Sequence, residues 1–410
     1  QTARTGPVTP FASLAAPGLA DLTCLAADFS GDRDLVAVDS GALRPLYGSL
    51  AGSFGDTILT EGQSLGTEAI GKQELADLNG DGNLDRIVVT ANGAQVWFGD
   101  GAANFTVGTT FGNYSPTALA LGDMDNDGDV DAVLGIDTAN EGNEVYLNDG
   151  QGQFSFTWAF SAGTVTRSFG LTDFDQDGDL DVFVGNDGEN QFYDNDLSGG
   201  TPQLFLDNDV FLGLLPQARG GDTIAVLVFD FDREGDEDVI LINGGDITSP
   251  QDAYVLRRGG TTYSLLFTLN AQLLATAAAI GDVDADGRED LAIAQLSPAG
   301  NASIKWYRGL NTSISTLPTN VATNGQYFSR SLVIADFDGD GRNDFAVGDV
   351  SVSNQPIAVI RQQPDGSFQI VQEFPTTRLE QIAAGDFDKD GDVDLVTVET
   401  TGPSRVLSNR

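Results

Sequence analysis

One nine-residue pattern recurs along this chain, Asp-x-Asp-x-Asp-Gly-x-x-Asp, and its even spacing narrows the fold before any other feature does. One copy is Asp123, Asp125, Asp127, Asp129 and Asp131. Another is Asp173, Asp175, Asp177, Asp179 and Asp181, and a third is Asp386, Asp388, Asp390, Asp392 and Asp394. Two copies carry arginine at the seventh place: Asp282, Asp284, Asp286, Arg288 and Asp290, and Asp336, Asp338, Asp340, Arg342 and Asp344. Two more vary an acceptor: Asp77, Asn79, Asp81, Asn83 and Asp85, and Asp230, Asp232, Glu234, Asp236 and Asp238. A damaged copy, two residues short, holds Asp28, Ser30, Asp32 and Asp34. Eight units of roughly 51 residues account for the chain, a period within the range of propeller blades.

Each unit reads as four short strands. An apolar run rich in small residues enters the Asp loop, as at Thr117 to Gly122, and another leaves it, as at Ala132 to Ile136. A third run carries an aromatic residue, as at Glu144 to Leu147. A turn of Asn, Asp and Gly follows, and then a fourth run, Phe154 to Phe160. Such turn residues tolerate positive φ. Four strands per unit at this period predict an all-β, eight-bladed β-propeller of four-stranded antiparallel blades, a single domain over residues 1–410. The last unit has only two runs after Asp394, Leu395 to Glu399 and Ser404 to Leu407, and so lacks its fourth strand. The spare segment at residues 7–14 is expected to supply it and close the ring. Seven blades with one stray unit is the alternative.

The Asp loops predict metal sites. Calcium takes six to eight hard oxygen ligands at flexible geometry, which suits carboxylates at the first, third, fifth and ninth places. The seventh place supplies a backbone carbonyl, so its side chain is free to be Asp129, Arg288 or Arg342. Glycine at the sixth place makes the bend. The second place is apolar in all copies (Phe29, Leu78, Met124, Phe174, Phe231, Val283, Phe337, Phe387) and is expected to tuck inward. Asp and Gly are also ordinary turn residues. However, two carboxylates ~5 Å apart repel by about 0.8 kcal/mol even in water, and five in nine residues add up to several kcal/mol without a cation. The expectation is about seven calcium ions, with an eighth if the damaged first copy binds.

These loops, with turns such as Asn148 to Phe154, resemble FG-GAP/VCBS repeats, the blades of integrin alpha-subunit heads and of many secreted bacterial proteins. The resemblance covers the whole chain. It implies a secreted or surface-exposed calcium-bound propeller, and no single activity: integrin-like propellers bind proteins, some similar ones are lectins, and certain polysaccharide lyases use calcium-loaded propellers. The Phe-Gly and Gly-Ala-Pro signatures of the integrin type are mostly absent, which places the chain nearer the bacterial type.

Composition removes other functions. Acidic residues number 61 against 20 basic ones, a net charge of −41, the wrong sign for phosphate-held nucleic acid or anionic lipid. There is no His, so the commonest general acid/base is missing. Cys24 is alone, which excludes an internal disulfide and thiolate clusters, and it reads as a buried inert thiol. Apolar runs such as Leu273 to Ile280 are too short to span a bilayer. The start at Gln1 suggests a leader already removed.

No nucleophile elbow or phosphate loop stands out. A lyase would need a base and a cation against a uronate. Arg257-Arg258, the one dibasic pair, is a candidate grip, but beside Gly259-Gly260 it reads better as a solvated hairpin. Tyr47, Trp97, Tyr146, Tyr193 and Trp306 recur near one place in their units and read as packing between blades rather than as a sugar-stacking ring. The longest interval, residues 194–222, is the best candidate for a distinguishing surface. The expectation is a non-catalytic extracellular binding or adhesion module for carbohydrate or a surface protein. A structural subunit of an extracellular array or filament is the first alternative, and a polysaccharide lyase the second.

Overall fold

The computed structural model describes residues 25–27, 34–39 and 42–46, and residues 59–409 apart from 67–68, 137–140, 162–164, 198, 208, 212–219, 247–248, 261, 270–273, 297–301, 311–312, 322–328, 350–355, 377–378 and 400–401. Two compact units result, Gln1–Thr57 with Arg410, and Ile58–Asn409. The described part of the first is an antiparallel sheet of Leu25–Ala27, Asp34–Asp39 and Ala42–Leu46, with Ala27 opposite Asp34.

The second unit is built from seven blades of four antiparallel strands, in sequence order in the first six. Blade 1 is Ala69–Ala76, Asp85–Thr90, Gly93–Gly99 and Phe105–Phe111; blade 2 is Pro116–Gly122, Asp131–Ile136, Asn143–Asn148 and Phe154–Phe160. Blade 3 is Thr166–Thr172, Asp181–Glu189, Gln191–Asn195 and Leu204–Leu206; blade 4 is Gly220–Phe229, Asp238–Asn243, Ala253–Arg258 and Tyr263–Leu269. Blade 5 is Leu274–Gly281, Asp290–Leu296, Ala302–Tyr307 and Thr319–Val321; blade 6 is Ser329–Ala335, Asp344–Asp349, Pro356–Gln362 and Phe368–Pro375. Blade 7 is Leu379–Gly385, Asp394–Glu399, Arg405–Asn409 and, from the other end of the unit, Leu59–Ser64. Blades 3 and 4 also pair directly, Asp187–Glu189 against Gly220–Asp222.

Sequence explains which strand sits where. Second strands such as Asp85–Thr90 and Asp131–Ile136 are buried along their whole length, because a neighbouring blade covers each face. They are accordingly runs of Ile, Val and Leu rather than alternating strands. Fourth strands such as Phe105–Phe111 and Tyr263–Leu269 are buried at their ends and exposed or half-buried between, as outer strands with solvent beside them. First strands favour Gly and Ala, since they contact one another round the ring. A Cβ at Gly348, on the second strand of blade 6, would run into Leu379 of blade 7.

There is no single core. Each neighbouring pair of blades shares its own apolar cluster, for example Ile87 and Val89 with Leu119 and Leu134 between blades 1 and 2. The last, with Phe105, Phe387, Val396 and Val406, joins blade 7 to blade 1. The ring of this unit therefore closes with seven blades, which corrects the expected eight and follows the alternative. The closing strand is also corrected. Leu59–Ser64 fills the place expected of residues 7–14, pairing Leu59 with Asn409 and Ser64 with Arg405. Residues 7–14 lie outside the described residues, as do Cys24 and Tyr47. The physical reason is chain length: Leu59–Ser64 directly precedes blade 1, so the closing strand needs no long return. Among the described residues, no helix is long and apolar enough to cross a membrane.

Candidate metal centres

Each Asp loop joins the first and second strands of its blade. The pair that closes the hairpin has the ninth-place Asp opposite the last first-strand residue, as with Asp131 and Gly122 or Asp394 and Gly385. The sixth-place glycines have φ between 79° (Gly82) and 101° (Gly178), which is why glycine recurs there. The fourth place is left-handed too, at Asn126, Gln176, Arg233, Ala285 and Lys389. Its residue type varies, so sequence gave no sign of it. The second-place side chains Leu78, Met124, Phe174, Phe231, Val283, Phe337 and Phe387 are buried.

The first-place carboxylate holds the bend. Gly128 N–H donates to Asp123 Oδ2 at 2.9 Å and Asp127 N–H to Asp123 Oδ1 at 3.1 Å; Gly287 and Asp286 repeat this on Asp282, and Gly341 and Asp340 on Asp336. The fifth place then accepts from the seventh, as Asp127 does from Asp129 N–H at 2.9 Å. Carboxylate oxygens converge as a result. Asp123, Asp125 and Asp127 form one group with oxygens within 4.8 Å of one another, and so do Asp173, Asp175 and Asp181, Asp230, Asp232 and Asp238, and Asp282, Asp284 and Asp290. Asp232, Glu234 and Asp236 form a further group, so the seventh-place Asp236 is drawn in as well.

The ninth-place Asp does more than the pattern suggested. Asp85, Asp131, Asp181, Asp238, Asp290, Asp344 and Asp394 are all fully buried. In every blade one oxygen accepts from a backbone N–H at the end of the third strand: Gly99, Asn148, Asn195, Arg258, Gly309, Gln362 and Asn409. In six the other oxygen accepts from the second-place N–H, as from Met124 at 2.8 Å. Burial pushes Asp181 up to about 8, and Asp131, Asp238 and Asp344 up to about 7, against these donors. Burial and then neighbouring carboxylates also raise Asp125 and Asp388. Asp173 Oδ1, Asp238 Oδ2 and Asp386 Oδ1 are buried without a hydrogen-bond donor. Hard, crowded, partly orphaned oxygens of this kind fit a divalent cation, which would reverse the penalty on the charged form.

Sequence reasoning also missed a set of ties between blades. Asn148 Nδ2 donates to Leu78 O at 2.8 Å, Asn195 Nδ2 to Met124 O at 3.1 Å, Gln362 Nε2 to Val283 O at 3.1 Å and Asn409 Nδ2 to Phe337 O at 2.6 Å. Each reaches the second-place carbonyl of the preceding blade. Ala103 N–H makes the equivalent bond to Phe387 O across the ring closure, at 2.9 Å. The visible signal was an amide side chain ending the third strand of four units.

Cationic side chains divide the loops. Arg257, Arg308 and Arg361 stand at one register, just before the third-strand residue that binds the ninth-place Asp. Arg257 pairs with Asp232 at 2.7 Å and with Glu234; Arg308 pairs with Asp284 and, at 2.8 Å, with Asp286; Arg361 pairs with Asp338 and, at 3.6 Å, with Asp340. Arg288 pairs with Asp286 and Arg342 with Asp340. Burial works against it, yet Arg308 and Arg288 hold Asp286 below the usual range. The same register holds Phe98, Leu147, Asp194 and Ser408 in the other blades.

Other expected residues fall as follows. Arg257-Arg258 is not a solvated hairpin: Arg257 serves its loop, and Arg258 is buried 4.9 Å over the Phe174 ring of blade 3. Tyr146 and Tyr193 pack on Phe111 and Phe160, with centroids 5.1 Å and 4.9 Å apart, and Trp306 meets Phe368 edge-on. Asn79 accepts from Asp81 N–H, and Asn83 donates its N–H to Asp81. Asp392 is raised chiefly by burial and then by Asp390, and Asp179 accepts from Leu197 N–H at 3.3 Å. The side chains of Asp28, Ser30, Asp32 and Asp34 lie outside the described residues.

Comparison with known proteins agrees with this architecture. The family model FG-GAP-like repeat matches residues 77–134 and 282–347. No curated protein matches the chain in sequence. Among solved structures, BBS1N in complex with ARL6DN is similar at a TM-score of 0.56 and 10% identity, over 86% of this chain and 98% of that one. A lectin of Agrocybe aegerita that recognises non-reducing terminal N-acetylglucosamine is similar at 0.50 and 16% identity, over 92% of each chain. The structural likenesses concern the fold, that of a β-propeller, and the FG-GAP-like repeat is matched in those two segments of the chain.

Proposed function

We propose that the loops hold calcium, about seven ions on Ile58–Asn409 and an eighth if the copy at Asp28 binds, and that the chain is a non-catalytic, secreted or cell-surface binding module. The observation that carries this is the convergence of carboxylate oxygens within 4.8 Å in loop after loop. Bound calcium would offset two negative charges in each loop. The residues do the rest: the first-place Asp fixes the bend, and the ninth-place Asp fastens it to the third strand. Calcium sites of extracellular modules commonly bind at about 10⁻⁴ to 10⁻³ M, so such loops suit the outside of a cell. A similar fold binds a protein in one neighbour and a terminal sugar in the other, which supports a carbohydrate or protein partner here. A glycan array run with and without calcium tests the sugar reading: calcium-dependent binding of a glycan class is expected. Unsaturated products absorbing in the ultraviolet, released from a uronate polysaccharide, would instead make the chain a lyase.

One observation favours the array reading as the second choice. Val107, Phe156, Phe205, Leu206 and Leu266 are exposed large apolar side chains, and all lie on fourth strands of the consecutive blades 1 to 4. Apolar exposure repeated along outer strands suits contact with another protein surface or a second copy. Sedimentation over a concentration series, with F156D as the comparison, reads this: self-association lost in the variant supports it.

A further inference from the structure

Arg86 breaks the repeat. It follows the ninth-place Asp of blade 1, where the other six blades place Ala132, Val182, Val239, Leu291, Phe345 and Leu395, every one fully buried. Arg86 is buried to the same degree, with 1% of its surface exposed. Its Nε and Nη1 have no hydrogen-bond acceptor. Its one described partner is the Trp97 ring, 5.8 Å from the guanidinium carbon. The chain has 61 acidic residues, yet among the described residues no carboxylate pairs with this guanidinium. An isolated charge out of water is strongly unfavourable unless a counter-charge joins it.

Arg86 lines a narrow pocket at the ring closure. Thr90, Gln95 and Trp97 of blade 1 form one side, and Gly66 and Ser404 beside the closing strand form the other. The space is of the size of a water molecule or a halide rather than of a sugar ring. We propose that this pocket binds one small anion, a halide or a single carboxylate group, held by the Arg86 guanidinium between blades 1 and 7. Bound there, it would supply the counter-charge at the junction between the first and last blades, and its affinity would add directly to the stability of the closed ring.

The test compares melting of the full chain in saturating calcium, at one ionic strength, in sodium chloride, bromide, acetate and gluconate, the last being too bulky for the pocket. The expected result is a melting temperature a few degrees higher in chloride and bromide, or in acetate if a carboxylate is preferred, than in gluconate. R86L should lose that difference while melting no lower than the wild type does in gluconate. Crystals grown with bromide should show an anomalous peak within hydrogen-bond reach of Arg86, a readout that needs no variant to fold. Equal melting of the wild type in all four salts, an anion effect that survives in R86L, or a site that holds only water would each overturn the proposal.

Discussion

Asp131 shows how much one side chain of the repeat does. Its two oxygens accept from Met124 N–H and Asn148 N–H in a fully buried setting. D131A would leave both donors unsatisfied, each at about 1–3 kcal/mol, so a loss of about 2–6 kcal/mol is expected from denaturant unfolding in saturating calcium. D129A, at the seventh place, should unfold close to the wild type. Glu74 gives a pH dependence of its own. Burial pushes it from its ordinary 4.5 up to about 7, with Lys72 opposing. The folded chain therefore holds that proton more tightly than the unfolded chain. The stability this contributes is full below pH 4.5 and is lost as pH rises through about 7. Unfolding midpoints measured from pH 5 to 8 in calcium should fall relative to E74Q; parallel curves would show that Glu74 ionises without penalty. Spacing and residue type made the acidic positions, the sixth-place glycine and the buried second place readable. They did not reveal the ninth Asp as a backbone clamp, because ligand and hydrogen-bond acceptor are the same chemical type. Nor did they place Arg86, whose pocket is completed by Ser404, brought beside it only by ring closure.

At the scale of the elements, the loops are alike in backbone and unlike in charge. Loops 2 and 3, at residues 123–131 and 173–181, each carry five Asp residues and no cationic side chain, whereas loops 5 and 6 each contact two guanidiniums. Removing calcium should therefore loosen loops 2 and 3 first. Hydrogen exchange of chelator-treated protein is expected to rise most in those two segments and least at residues 282–290 and 336–344; a uniform rise would mean that the arginines do not stand in for any of the lost charge. The four-strand reading of each unit followed from turn chemistry and apolar runs, and strand ranges agree with it in the seven described blades. The amide ties between blades were not legible, since an Asn at a strand end has equally good local uses in a turn.

For the whole molecule, the repeat count misled where strand pairing decided. Eight copies of the pattern suggested eight blades, but the seven in Ile58–Asn409 share seven apolar interfaces and close through Leu59–Ser64. A chain beginning at Ile58 should melt as a cooperative unit near the full-length value. A chain beginning at Thr67 lacks the closing strand, exposes the edge Arg405–Asn409 and should aggregate. Comparable melting of both truncations would contradict this closure. The claim on which the account turns is that the loops are calcium sites that hold the ring together, and elemental analysis combined with melting tests it most directly. Protein equilibrated in millimolar calcium should carry about seven ions per chain, and stripping them with excess chelator should lower the melting temperature substantially. An unchanged melting curve after proven loss of the metal, or no calcium taken up at all, would contradict it.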